Sequence, residues 1–157
     1  MGSSTVSGAL SQSEGEDACE VVGERPECAV GICQGTVVLV WRTAIIVDGA
    51  RWVRHAFEQL AARGERNLAF MTVIEKDCDP STSSDVRNEL ADVLAIFEDR
   101  LRGAAITFEC VGFRATLLRS AITAINMASR ARFPNSVFGD SRAATEWLCK
   151  HAGQVGS

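Results

Sequence analysis

No stretch of the 157 residues approaches the roughly 18 consecutive apolar residues that a membrane-spanning helix needs. The amino terminus also lacks the basic start and apolar core of a secretory leader. Its opening, MGSSTV, carries Val6 where a myristoylation signal wants Ser or Thr. These absences point to a cytoplasmic protein. The six cysteines (Cys19, Cys28, Cys33, Cys78, Cys110 and Cys149) form no CxxC pair, and only two histidines stand by to complete a zinc site. In a reducing cytosol the simplest reading is six free thiols, with no metal and no cofactor.

Basic charge is scarce too. Residues 1–27 hold Glu14, Glu16, Asp17, Glu20, Glu24 and Glu27 against Arg25 alone, so the rest of the chain sums to about +1 of the net charge of -4. A nearly neutral body argues against a nucleic-acid groove, which wants clustered Lys and Arg. The same 27 residues are rich in Ser, Gly and Glu, and they show neither helical nor strand periodicity. They read as a disordered acidic tail. Residues 28–151 then make one domain, with 152–157 a flexible carboxyl terminus. The 46% hydrophobic content suffices for a core without disulfides or metal.

Within that domain, AVGICQGTVVLVWR gives two β-rich runs around Gln34-Gly35, a hairpin of about 29–33 and 36–42. Asp48 is placed to cap a helix with Trp52, Val53, Ala56, Phe57, Leu60 and Ala61 on one face, closed by Gly64. NLAFMTVIE, residues 67–75, is a continuous apolar run of the kind found in a strand covered on both sides. A second helix is expected over 84–101, and GAAITFEC (103–110) is a second buried strand. Gly112 turns into a third helix ending before Pro134. NSVFG and DSRAATEWLCKH complete the chain as a short strand and a helix capped by Asp140 or Ser141. The order is β-β-α-β-α-β-α-β-α, an α/β fold with a mostly parallel sheet whose first strand is antiparallel.

This order, with the ending FPNSVFGDSRAATEWL, resembles the STAS fold of anti-sigma factor antagonists and of the cytoplasmic domains of sulfate transporters. It is more specifically similar to SpoIIAA-like, SEC14-like bacterial domains. The resemblance implies a non-enzymatic regulatory module that binds a protein partner. It also implies a phosphorylatable serine at the start of the helix after the strand 67–75, where Ser83 and Ser84 stand. The SEC14-like side of the resemblance implies a small apolar or anionic ligand instead.

The residues themselves leave several readings open. Ser83 or Ser84 can cap the second helix through its hydroxyl, or carry a phosphate of about -1.5 to -2 charge that Asp77, Asp79 and Asp85 would repel. In ECVGFR, Cys110 ends a strand before a helix, the edge at which open α/β sheets bind ligands, so a cysteine-dependent enzyme is the third functional reading. A C-x5-R phosphatase loop is absent, because Thr116 occupies the arginine position. The acidic loop does not match an EF-hand, having Thr82 for glycine and Asn88 for glutamate. The third helix has an apolar face through Leu118, Ile122 and Ile125. Gly112, Arg114, Arg119, Thr123 and Asn126 are its candidate contacts to a protein partner or an anionic group.

Overall fold

The computed structural model describes residues 19–79, 81–109, 116, 120 and 133–153. Gln34 and Gly35, with φ of 53° and 82°, make the tight turn expected between β2 (Cys28–Cys33) and β3 (Thr36–Trp41). Two consecutive left-handed residues give the primed turn whose twist matches a hairpin. Ahead of them stands a strand that periodicity does not reveal, β1 (Glu20–Glu24), inside the stretch expected to be a disordered tail. It pairs antiparallel with β2, with a register break between Val21 and Gly23. Gly23 lies flat on the Trp52 indole, where any Cβ would sit 2.3 Å from a ring carbon. The expectation of six free thiols also fails here, because Cys19 and Cys33 form a disulfide between β1 and β2.

The first helix, α1 (Val47–Ala62), buries Val53, Ala56, Phe57 and Leu60 as its spacing predicts. Asp48 is not its cap. Ile46 holds that position without a side-chain bond, and the Asp48 carboxylate pairs with Arg25 at 2.6 Å. Gly64, at φ 84°, closes the helix: its N–H donates to Ala61 O and that of Glu65 to Leu60 O, at 3.0 and 3.1 Å. These two bonds satisfy carbonyls that a helix end would otherwise leave unpaired.

Strand β4 (Leu68–Ile74) follows, then α2 (Ser84–Phe97) and β5 (Leu101–Phe108). The second helix therefore stops a turn short of the expected 101. Arg100 N–H turns back to Phe97 O, and Leu101 opens the next strand instead. The chain ends with β6 (Asn135–Phe138), α3 (Ser141–Leu148) and a π-helical turn, Cys149–Gly153. Asp140 caps α3, accepting from Ala143 N–H at 2.9 Å.

The six strands lie in sequence order, β1-β2-β3-β4-β5-β6, antiparallel through the first three and parallel from β3 to β6. That ordering decides where the helices go. Right-handed crossovers that always step in the same direction across a sheet land on the same face, and α1 and α2 do so. They bury Val37, Leu39, Phe70 and Ala104 under Phe57, Val93 and Phe97, with the Phe57 ring 5.7 Å from Phe70 and 5.4 Å from Phe97. The opposite face carries a smaller cluster, in which Ala144 and Leu148 of α3 meet Ala69, Met71 and Ala105. An 8-residue helix is about 12 Å long, while six strands span about 24 Å. Among the described residues, α3 and the π-helical turn that continues it pack on that face.

Candidate functional site

Among the described residues a groove of about 780 Å³ lies beside α3. Its floor is apolar, made by Val38 of β3, Ala69 and Met71 of β4, and Leu148 of α3. Strand alternation puts these residues there: Val38 faces Met71 across the β3–β4 ladder, and Val37 and Phe70 beside them point to the other core. The rim is polar. The β2–β3 turn supplies Gln34 and Gly35, the α1–β4 loop supplies Glu65 and Arg66, and α3 supplies Thr145. Thr145 donates to Ser141 O at 2.7 Å and lies 3.9 Å from Met71 Sδ, so wall and floor touch. Asn67 on the same rim is held by Arg102 Nε, which donates to its Oδ1 at 2.9 Å. Two cysteines also line the groove: Cys33, in the disulfide with Cys19, and Cys149, which is exposed.

This groove sits at the amino ends of β3 and β4. The opposite, carboxyl edge is where sequence reasoning places function. Three charged residues follow the register across it: Arg42 after β3, Glu75 after β4 and Glu109 after β5, with Glu75 N–H bonded to Trp41 O and Glu109 N–H to Ile74 O. The Arg42 side chain is 3% exposed, bonded to Glu24 Oε2 and to Arg25 O, each at 3.0 Å. Burial, and then the neighbouring Glu109, raise the Glu75 pKa above the ordinary carboxylate value, against the pull of Arg42. The acidic loop is tied down as well: Cys78 is buried, and Asp79 Oδ1 accepts from Ser81 N–H at 2.9 Å.

Ser83 is the residue before α2, and its hydroxyl accepts from Val86 N–H at 3.3 Å. Ser84 is the first residue of the helix and is exposed. Arg87, which could have met a phosphate there, donates instead to the Thr82 carbonyl and hydroxyl, both at 2.9 Å. Cys110, Gly112, Arg114, Arg119, Thr123 and Asn126 lie outside the described residues. From the same stretch of sequence, Thr116 and Ser120 are described: both are helical and exposed, with Ser120 Oγ donating to Thr116 O at 3.1 Å.

Other reactive groups have structural work. Burial, with help from Glu27 and Asp48, pushes the Cys28 thiol up to about 11, far from a nucleophile's range. His151 stacks on Trp147 with ring centroids 4.1 Å apart, its Nδ1 2.9 Å from Trp147 O. The described residues form an α/β fold with a six-stranded, mostly parallel sheet. No family model, no curated protein and no solved structure matches it. No helix among the described residues is long and apolar enough to cross a membrane.

The groove escapes a reading of the sequence because its parts come from a turn, a loop and the last helix, which only the strand order brings together. The one local signal is the small side chain of Ala69 in a run otherwise made of bulky residues.

Proposed function

We propose that this protein is a non-enzymatic binding module, in keeping with the STAS-like resemblance, and that it holds a small amphipathic ligand in the groove beside α3. The observation that carries this reading is the groove itself: about 780 Å³, apolar at the floor and hydrogen-bonding at the rim. Small-molecule sites are concave, of roughly 300–1,000 Å³, with a few polar groups that orient the ligand. A concave site of that size favours a small molecule over a protein partner, whose interfaces are larger and flatter. Arg66 at the mouth suits an anionic head, while Met71, with its adaptable thioether, suits an apolar body of variable shape.

The test is titration with an anilinonaphthalene sulfonate dye, an apolar body with one anionic group, followed by its fluorescence. Wild-type protein should enhance the emission. Ala69→Phe, which fills the floor, should abolish the enhancement, and Arg66→Glu should weaken it. A wild type that leaves the dye dark, or an Ala69→Phe variant that binds as well as wild type, removes the groove as a ligand site.

A further inference from the structure

The groove beside α3 is short along the strands. On this face of the sheet Thr36 stands beside Ala69 and Val38 beside Met71, in successive rows of the β3–β4 ladder. Among the described residues the lining stops at the second row: Val40, the next residue of β3 to face this way, is 4% exposed and takes no part in it. The β5 side is shut as well, since Trp147 and Leu148 sit over Gly103, the neighbour of Ala69. From Asn67 on the rim to Met71 at the blind end the chain advances four residues, about 13 Å at strand spacing. The polar groups are placed unevenly. Asn67 Oδ1 accepts from Arg102 Nε at 2.9 Å. A guanidinium only donates, so the amide oxygen is fixed toward Arg102 and Nδ2 is what Asn67 offers the groove. Arg66 beside it adds a permanent positive charge. Glu65, the acidic member of the rim, lies at the turn instead, its Oε1 3.5 Å from where a Cβ on Gly35 would stand. The charged donor and the oriented amide thus share one end, and the floor beyond them has neither a charge nor an aromatic ring.

We infer that the groove selects straight-chain carboxylic acids of about eight to ten carbons, the carboxylate held by Arg66 and Asn67 Nδ2 and the methyl end stopped by Met71. This rests on the reading of the groove as a ligand site, and adds to it the head group, the length and the residue that sets the length. Two neighbouring donors suit the two oxygens of a carboxylate. An alkyl chain suits a floor with no ring on which an aromatic ligand could stack. Because the groove is open at its mouth, the run of the floor rather than the volume decides how long a chain can be buried. Each methylene that reaches the floor tightens binding about fourfold, until the chain meets Met71.

The experiment displaces the fluorescent dye from the full chain with hexanoate, nonanoate, dodecanoate and nonan-1-ol, and repeats the series on two variants. Nonanoate should displace the dye at concentrations about tenfold or more below those needed for hexanoate and for nonan-1-ol, and dodecanoate should gain nothing over nonanoate. Asn67→Asp keeps an oxygen facing Arg102 and puts an acceptor where the donor was, so it should weaken nonanoate about tenfold or more and leave nonan-1-ol unchanged. Met71→Ala lengthens the floor and should make dodecanoate the tightest of the series. Nonan-1-ol as effective as nonanoate, affinity still climbing at dodecanoate in the wild type, an Asn67→Asp variant that binds nonanoate unchanged, or a folded Met71→Ala variant with the wild-type preference would each overturn the inference. The wild-type length series decides the matter even where Met71→Ala does not fold. A dye that binds but yields to none of the acids overturns the acid class and leaves the groove as a ligand site, whereas a dye that stays dark overturns both.

Discussion

Ser83 illustrates how one oxygen can be committed. Its hydroxyl satisfies the Val86 N–H at the start of α2, and replacing such a cap by alanine costs about 0.5–2 kcal/mol. Because the bond is 3.3 Å long, Ser83→Ala is expected at the low end, about 0.5 kcal/mol by urea denaturation. Ser84→Ala, with no such bond, should change little. Equal losses at both positions would mean that Ser83 does not act as the cap. Carboxylates at the same scale give opposite pH signatures. Glu75 is raised by burial and by Glu109, so the native state holds its proton more tightly than the unfolded chain does. That contribution is complete below the ordinary value of 4.5 and is lost as pH rises through the higher folded value. Glu89 is lowered, chiefly by the hydrogen bonds from Arg54 at 2.6 and 3.2 Å. Its contribution is present above 4.5 and lost as pH falls through the lower folded value. Urea midpoints taken across pH should therefore show Glu75→Gln gaining on wild type at neutral pH and converging with it in acid. Glu89→Gln should lose up to about 1 kcal/mol at neutral pH and converge in acid as well.

At the scale of elements, α3 is the piece on which the second face depends, and it approaches the sheet where β5 has no side chain. A Cβ on Gly103 would lie 3.3 Å from the Trp147 ring and 3.4 Å from Leu148. Gly103→Ala already presses on both, and Gly103→Val adds two methyl groups to a filled contact. The valine variant should cost about 1–3 kcal/mol and should raise hydrogen exchange in α3 while leaving α1 protected; unchanged exchange in α3 would show that the contact is slack. Elements with local signals were legible from the sequence: the Gln34-Gly35 turn, the apolar face of α1 and its closure at Gly64, the uninterrupted β4, and the Asp140 cap. Strand β1 was not. Its composition is that of a tail, and what holds it is distant in sequence: Trp52, Arg42 and the sulfur of Cys33. The end of α2 was misplaced because Leu101 continues the helical spacing of apolar residues although it begins a strand.

The whole molecule follows from the order of strands, which periodicity cannot supply, since pairing partners are chosen by packing across the sheet. That order places both described crossover helices on one side and brings the turn, loop and helix that line the groove together on the other, a site no single segment announces. It bears equally on how the protein is made. Each strand joins the edge left by the one before it, so no later strand has to be wedged between two already paired. A chain emerging from the ribosome can extend its sheet rung by rung in the order of synthesis, always with one open margin waiting for the next segment to arrive.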